Sequence, residues 1–212
     1  MKRKSKIIVL GSGGHAAVVI DLLEKLNFEI IGILSKETKF KFFLDYPILG
    51  DDTLLKTFVG KNILFANGIG VVNNSLNTRK KVFENLKRYK FVVPVLQHKN
   101  AIVSQRAILK EGSQILAGSN IGPNVFIGEN TIVNTNTTVE HGSIVEAHCH
   151  LAPGSNICGN VKIGESTFIG AGSTIINDLS VTKNCLIGAG SLVVKDIKVI
   201  GKYYGHPSKK MK

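Results

Sequence analysis

Branched aliphatic residues recur every six positions across the second half of the chain. The series starts at Val103 and continues through sixteen positions without a break. Its members are Val103, Leu109, Ile115, Ile121, Ile127, Val133, Val139, Val145, Leu151, Ile157, Ile163, Ile169, Ile175, Val181, Ile187 and Val193. Small or apolar residues, such as Ser113 and Val125, follow four positions after each member. A period of six fits neither an α-helix, which repeats every 3.6 residues, nor an alternating strand.

The six-residue period predicts a parallel β-helix. Each hexad forms one short flat side and one corner, and three hexads close a turn. Gly and Asn stand where corners need a positive φ, as in Ile127-Gly128-Glu129-Asn130. At the usual strand spacing, roughly ninety residues give about five turns and a prism about 25 Å tall. An ordinary β-rich domain with many turns would not keep one register through sixteen hexads.

The residues before the hexads alternate between strand and helix patterns. Predicted strands are Lys6–Leu10, Phe28–Leu34, Asn62–Ala66 and Phe91–Val93, and predicted helices are Ala16–Leu26, Asp51–Val59 and Asn73–Lys90. This alternation indicates a small Rossmann-like parallel α/β sheet with a ligand crevice at the carboxyl ends of its strands. We therefore expect an α/β domain over residues 1–97, a β-helix over 98–197 and a basic C-terminal tail over 198–212 that is frayed in the simplest interpretation.

Composition limits the partners and the compartment. The net charge of +12 favours anionic partners, but no nucleic-acid motif accompanies it, so we expect no nucleic acid. No apolar run reaches the roughly 18 residues of a membrane span, and the basic start is followed by too few apolar residues for a signal peptide. We expect a cytoplasmic protein without membrane association. Cys149, Cys158 and Cys185 lie inside the coil and are expected to be core residues.

A glycine turn follows the first predicted strand. Gly11-Ser12-Gly13-Gly14-His15 has the outline of a dinucleotide fingerprint at a strand-to-helix junction. The acid expected after the second strand is missing, because Leu34 is followed by Ser35-Lys36, and this argues against a nicotinamide cofactor. The turn is expected to bind phosphate or sugar, the alternative being close strand–helix packing. His15 and the segment Asn67-Gly68-Ile69-Gly70 are expected to line the same crevice.

Three histidines fall within the hexads. The hexad frame places His141 on a corner and His150 outward from a flat side beside it. The spacing of His141, His148 and His150 does not favour a zinc site, so no metal is expected. A corner imidazole is suited to act as a general base when an amine or hydroxyl attacks a thioester. The alternative is a solvated corner histidine.

Several motifs in one order along the chain resemble a known family. They are the Gly11–His15 turn, Tyr46–Gly50, Val139-Glu140-His141, Gly159–Gly164 and Gly205–Lys209. Together they look like the bacterial sialic-acid O-acetyltransferase family, which includes the N-acetyltransferases of nucleotide-linked 4-amino-deoxysugars. The resemblance implies a homotrimer with a left-handed β-helix that binds acetyl-CoA between adjacent subunits and an α/β domain that holds the nucleotide sugar.

The same resemblance implies roles for individual residues. His141 would be the catalytic base, with Glu140 among the groups that orient it, and His150 would contact acetyl-CoA near its thioester. The other implied contacts are Gly11, Ser12, Gly13, Gly14, His15, Ser35, Asn67 and Gly68 to the nucleotide sugar, Gly170, Ala171, Gly188 and Ala189 to pantetheine, and Lys209 and Lys210 to the CoA phosphates.

Two departures from the family pattern bear on function. Many members carry an acid directly after the catalytic histidine, where this chain has Gly142. Glu140, Glu146, Asn134 or a carbonyl must then orient the imidazole. Members also often carry an aspartate pair after the second strand, where this chain has Ser35-Lys36. The leading hypothesis is N-acetylation of a nucleotide-linked amino-deoxysugar for a surface glycan. The alternatives are O-acetylation of sialic acid or a related sugar, a non-catalytic sugar-nucleotide-binding protein and a metal-dependent hydratase.

Overall fold

The computed structural model describes residues 4–37, 40–71 and 76–211. The chain divides into two compact units, Met1–Pro94 and Val95–Lys212. The start of the third predicted helix, Asn73 to Ser75, lies outside the described residues.

The N-terminal unit is a five-stranded α/β sheet. Its elements are β1 (Lys6–Leu10), α1 (Gly14–Lys25), β2 (Glu29–Leu34), β3 (Phe42–Phe43), β4 (Tyr46–Gly50), a 3₁₀ helix (Asp52–Phe58), β5 (Leu64–Asn67) and α2 (Leu76–Arg88). The strand order is β3-β4-β2-β1-β5, and only β3 runs antiparallel to its neighbour. The Rossmann-like fold class is therefore confirmed.

Local sequence explains most of these elements and the exceptions. Asp51 caps the 3₁₀ helix by accepting a hydrogen bond from the Thr53 amide at 3.0 Å. The prediction of a strand at Phe91–Val93 was wrong. The Phe65 amide donates a hydrogen bond to the Val92 carbonyl, but the segment does not pair with the sheet as a strand. Phe91 instead packs its ring 4.3 Å from that of Phe65. The β3–β4 hairpin was not predicted, since Pro47 weakens a strand pattern.

The C-terminal unit is a left-handed parallel β-helix of two-residue strands. The strands of its three sides are given below in chain order. The first side holds β7 (Ile102–Val103), β10 (Asn120–Ile121), β13 (Thr138–Val139), β16 (Asn156–Ile157), β19 (Thr174–Ile175) and β22 (Leu192–Val193). The second holds β8 (Ile108–Leu109), β11 (Phe126–Ile127), β14 (Ile144–Val145), β17 (Lys162–Ile163) and β20 (Ser180–Val181). The third holds β6 (Leu96–Gln97), β9 (Gln114–Ile115), β12 (Ile132–Val133), β15 (His150–Leu151), β18 (Phe168–Ile169) and β21 (Leu186–Ile187).

The aliphatic series forms the core of this prism. Fourteen of its sixteen members are buried, and Val103 and Leu109 at the open end are partly buried. The small residues of the second series also point inward, and their hydroxyls donate to carbonyls of the next turn. Ser143 Oγ lies 2.8 Å from the Cys158 carbonyl, and Ser173 Oγ lies 2.7 Å from the Gly188 carbonyl. Serine and threonine fit an apolar core where the hydroxyl has an acceptor, as at these two positions, whereas the buried Ser113 hydroxyl has no hydrogen-bond partner within the described residues.

The corners form three edges along the prism. The first edge joins the first and second sides at residues 104–107, 122–125, 140–143, 158–161 and 176–179. The third edge joins the third side back to the first at residues 116–119, 134–137, 152–155, 170–173 and 188–191. One residue at each of many corners has a positive φ, including Asn160 at +59° and Gly142 at +69°. Most of these residues are asparagine or glycine, as the sequence predicted for corners, and His148, Ser166 and Asp178 are exceptions.

The C-terminal segment is an ordered hairpin rather than a frayed tail. Strand β23 (Lys202–Gly205) continues the third side by pairing with β21, and β24 (Ser208–Lys210) folds back antiparallel to it. The hexad period stops before this hairpin, so periodicity alone could not reveal it.

Candidate active site

His141 stands exposed on the first edge, at the corner between β13 and β14. Its imidazole lies against Gly159, one turn further along the same edge. A Cβ placed on Gly159 would lie 2.6 Å from His141 Cε1 and 2.7 Å from Nε2. The absence of a side chain at Gly159 therefore makes room for the ring.

Gly142, where the family resemblance leads one to expect an acid, has a structural reason in this chain. Its φ is +69°, a value that glycine adopts without strain. The space that its Cβ would fill is occupied by the Asn160 carboxamide. Asn160 Nδ2 in turn donates to Asp178 Oδ1 at 3.1 Å. An acid at position 142 would displace this arrangement.

The side chains named as orienting groups for His141 are placed elsewhere. Glu146 accepts a bond from the Glu165 amide at 3.0 Å and pairs with Lys162 at 3.4 Å. Asn134 Nδ2 lies 3.2 Å from His150 Nε2. Glu140 is exposed, and within the described residues its carboxylate makes no hydrogen bond to the imidazole. The carboxamide of Asn177 was not predicted, yet its Nδ2 lies 3.3 Å from the same Cβ position on Gly159 that the His141 ring crowds.

His150 does not lie beside His141. It belongs to β15 on the third side, which faces away from the first edge across the prism. The side chain is 6% exposed and packs edge-to-face on Phe168 with 5.2 Å between ring centroids. The hexad frame correctly predicted that His150 points outward. Its placement of His150 beside His141 was wrong, because the frame did not resolve which of the three sides each hexad occupies. One copy of the coil cannot bring both to one small ligand.

The residues implied in pantetheine binding do cluster. Gly170 and Ala171 lie on the third edge directly beside Gly188 and Ala189 of the next turn, and the Gly190 amide donates to the Ala171 carbonyl at 2.8 Å. The Tyr204 ring covers Gly188, a contact that the sequence did not indicate.

The two lysines implied in binding the CoA phosphates lie on the C-terminal hairpin. Lys209 and Lys210 are exposed on β24, and the Lys210 side chain packs over Gly201.

The cysteines are poor nucleophiles. Burial raises the pKa of the Cys149 thiol to about 12 and raises the pKa of Cys185 as well. Cys158 is partly exposed, and burial followed by the charge of Glu140 raises its pKa. A raised pKa keeps the thiol protonated near neutral pH, so a covalent acyl-enzyme on cysteine is disfavoured.

The N-terminal unit contains a cleft of about 870 Å³ at the carboxyl ends of its parallel strands. Gly11, Ser12, Ser35 and Ile69 line it, as the sequence predicted. The hydroxyls of Ser12 and Ser35 lie 2.7 Å apart across the strand ends. One face of α2 supplies residues that the sequence analysis did not single out: Thr78, Lys81, Val82, Glu84, Asn85 and Arg88. The spacing of Thr78, Lys81, Asn85 and Arg88 by three and four residues was the available signal.

The glycines of the turn between β1 and α1 have different structural roles. Gly11 has a φ of +102°, and its Cβ would lie 2.6 Å from Ile69 Cδ1, so packing requires it. A Cβ on Gly13 or Gly14 would meet nothing within 4 Å, and neither has a positive φ. The start of α1 is thus left open to a ligand by residues that the fold does not need as glycine.

Four other predicted substrate contacts do not line the cleft. His15 packs against Gly70, where a Cβ would lie 2.8 Å from His15 Cβ. Gly68 is held close to the Leu10 carbonyl, and Gly13 and Gly14 lie outside the cleft lining.

Asn67, the fifth, is fully buried and bound to a buried arginine. Its Nδ2 donates to the Arg79 carbonyl at 3.0 Å, and its Oδ1 accepts from the Ile69 amide at 3.1 Å. Arg79 Nη1 donates to the carbonyls of Asn67 and Ile69 at 3.1 and 2.8 Å. Burial lowers the pKa of Arg79 to about 9. Asn67 therefore shapes the loop beside the cleft.

Among residues 4–37, 40–71 and 76–211, no three His, Cys, Asp or Glu side chains converge as metal ligands. No helix within that part of the chain is long and apolar enough to cross a bilayer.

Two family models match the chain. The PglD N-terminal domain matches residues 6–86, and the bacterial transferase hexapeptide of six repeats matches residues 160–195. No curated protein sequence matches.

Solved structures match over almost the whole chain. A histidine-to-alanine mutant of GDP-perosamine N-acetyltransferase from Caulobacter crescentus, in complex with CoA and GDP-perosamine, is 28% identical with a TM-score of 0.92, covering 98% of this chain and 97% of that one. The acetyltransferase domain of PglB from Neisseria gonorrhoeae, in complex with acetyl coenzyme A, is 28% identical with a TM-score of 0.90, covering 99% and 100%. WeeI from Acinetobacter baumannii, at 21% identity and a TM-score of 0.83 with 97% and 99% covered, supports the fold alone.

The coil of hexads and the histidine on its first edge define a hexapeptide-repeat acyltransferase that uses acetyl-CoA. Its N-terminal unit matches the PglD N-terminal domain, and over almost its whole length the chain is similar to acetyltransferases such as the perosamine N-acetyltransferase and the PglB domain, which agrees with the family resemblance of the sequence.

Proposed function

We propose that this protein transfers an acetyl group from acetyl-CoA to the amino group of a nucleotide-linked amino-deoxysugar during bacterial surface glycan synthesis. The observation that carries the proposal is the 28% identity over 98% of the chain with a GDP-perosamine N-acetyltransferase whose mutant structures hold CoA and GDP-perosamine. The exposed imidazole of His141 supplies the base that this reaction needs.

His141 accepts a proton as the amine attacks. The amine nitrogen bonds to the acetyl carbon, the carbon–sulfur bond breaks, and the proton passes through His141 to the departing CoA thiolate. The Gly159 amide lies next to the ring and donates to no acceptor within the described part of the chain, so it is placed to stabilise the oxyanion. No cysteine takes part, consistent with the raised thiol pKa values.

The site is completed by a second copy of the chain, and we propose the trimer that the family resemblance implies. His141 and His150 lie on opposite parts of one coil, so a ligand that contacts both needs two copies. The second side, next to His141, carries the exposed apolar residues Ile108 and Ile144, at 52% and 41% exposure, with Phe126 between them. Exposed apolar side chains in one row favour association through this side.

The cleft of the N-terminal unit holds the nucleotide. Its volume of about 870 Å³ suits a ligand of this size. Lys36, Lys81 and Arg88 bring positive charge to it, which favours the phosphates of a nucleotide, and Gly11 and Ser12 of the turn before α1 line it as well. Glu37, which follows β2, and Asp52, at the start of the 3₁₀ helix after β4, place carboxylates in the cleft lining that can accept hydrogen bonds from hydroxyl groups. These acids stand in place of the family's aspartate pair.

We place the reaction in the cytoplasm, where acetyl-CoA is made. Three cysteines that form no disulfide are consistent with a reducing compartment.

The test measures CoA thiol release from acetyl-CoA against GDP-perosamine, other nucleotide-linked amino sugars and free sialic acid. Turnover with an amino sugar and none with sialic acid supports the proposal, whereas turnover with sialic acid alone assigns O-acetylation. His141→Ala is expected to lower kcat by about 10² to 10⁴. His148→Asn keeps a residue that tolerates the positive φ of +60° at the corner between β14 and β15, and this matched histidine control is expected to keep kcat. A His141→Ala protein at the parental rate contradicts the mechanism.

A further inference from the structure

Two polar side chains on the first edge face one another across a glycine. His141 reaches up from one turn and Asn177 reaches down from two turns above, with Gly159 between them. Both groups lie within 3.3 Å of the point where a Gly159 side chain would begin. Neither side chain makes a hydrogen bond within residues 4–37, 40–71 and 76–211, and both are exposed.

The two groups differ in what they can do for an attacking atom. The imidazole can take one proton, and the carboxamide oxygen can accept a second hydrogen bond without taking a proton. The carboxamide nitrogen and oxygen exchange places by rotation, so Oδ1 can face the gap beside His141. A group placed between them is therefore offered two acceptors at once.

A neutral amine has two N–H bonds, whereas a hydroxyl has one O–H bond. We infer that Asn177 accepts the second N–H of the acceptor amine while His141 removes the first, and that Asn177 thereby makes the enzyme prefer an amine over a hydroxyl. During transfer the nitrogen bonds to the acetyl carbon and the sulfur leaves with its electron pair. The proton taken by His141 then passes to that sulfur, and the N–H held by Asn177 stays on the amide product. This inference rests on the proposed function and explains which acceptor its site selects.

The experiment compares acceptors that differ in one group. It measures kcat/KM for GDP-perosamine and for the same GDP-linked sugar with a hydroxyl in place of the amino group. The parent is expected to prefer the amine, and Asn177→Ala is expected to lower that preference by about 10-fold, mainly through kcat. Asn177→Asp keeps an acceptor oxygen at the same place and is expected to retain most of the preference.

Gln105 provides the matched control. It is an exposed carboxamide on the same edge, two turns below His141 rather than above it. Gln105→Ala is expected to leave both acceptors at parental rates, and an equal loss there overturns the inference. An unchanged preference in Asn177→Ala, or the same loss in Asn177→Asp as in Asn177→Ala, overturns it too. A parent that acetylates no amino sugar in the panel overturns the proposed function and the inference together, so the two failures are distinct.

Discussion

Gly159→Ala tests whether the catalytic imidazole rests on the coil as described. The new Cβ would lie 2.6 Å from His141 Cε1, whereas carbon atoms in contact are about 3.5 to 4.0 Å apart. The ring must therefore retreat by about 1 Å. A misplacement of about 1 Å in a catalytic group lowers the rate by about 100-fold, so kcat should fall by about that factor.

Stability should move in the other direction. Gly159 is not among the glycines with positive φ, so alanine adds no backbone strain there. Replacing glycine by alanine also reduces the conformational entropy of the unfolded chain, which favours folding by about 0.4 to 1 kcal/mol. Thermal denaturation should therefore show an unchanged or slightly raised Tm beside the loss in thiol release.

Gly154→Ala is the matched control with the opposite expectation. Gly154 has a φ of +66°, and a Cβ there would meet nothing within 4 Å. Alanine should cost about 1 kcal/mol of stability because of the left-handed backbone, while kcat stays at the parental value. If Gly159→Ala kept the parental kcat, the ring would not lie over Gly159 in the active enzyme, and the reasoning would be refuted.

Four further expectations follow from individual contacts. In steady-state kinetics, Lys81→Gln should raise KM for the nucleotide sugar by about 10-fold without changing KM for acetyl-CoA. Lys80 lies outside the cleft lining, so Lys80→Gln should change neither KM. Ile144→Glu should give a monomer with little turnover in sedimentation and thiol-release measurements, and an active trimer would argue against association through the second side. Because burial raises the pKa of Cys149 to about 12, peptide mass spectrometry should find it alkylated at pH 8 only after denaturation, and raising the pH to 9 should not change this. Arg79→Ala should destabilise the N-terminal unit by about 3 kcal/mol, since the buried Asn67 carbonyl and the partly buried Ile69 carbonyl lose their donor. Parental protection from hydrogen exchange in residues 6–71 would show that this is wrong.

The β-helix could be predicted in detail because its rule is local and repeats. Each aliphatic position sees the same surroundings one turn above and below, so a period of six specifies both burial and strand register. The α/β unit was predictable in outline for a similar reason. Its weak points were segments whose conformation depends on neighbours, such as Phe91, which packs on Phe65 without joining the sheet.

The site was predictable only in part, because it depends on which side of the prism a residue occupies. The hexad frame identified His141 as a corner residue. It did not reveal that His150 lies across the coil from His141. Asn177 carries no motif, and its relation to His141 appears only when three successive turns are stacked. Asn67 resembled a ligand contact because it follows a strand end, yet its amide is used to hold Arg79.

The stacking of turns also limits how such a chain can change in length. Partners in neighbouring turns are eighteen residues apart, as in Asn120 and Thr138. Loss of one hexad between Gly159 and Asn177 would keep both the aliphatic series and the small-residue series in register, so the prism would still close. Asn177 would, however, arrive on a different edge, a third of a turn away from His141. Insertions and deletions inside this coil can therefore preserve the fold at any multiple of six residues, but they preserve the alignment of the edge only at multiples of eighteen.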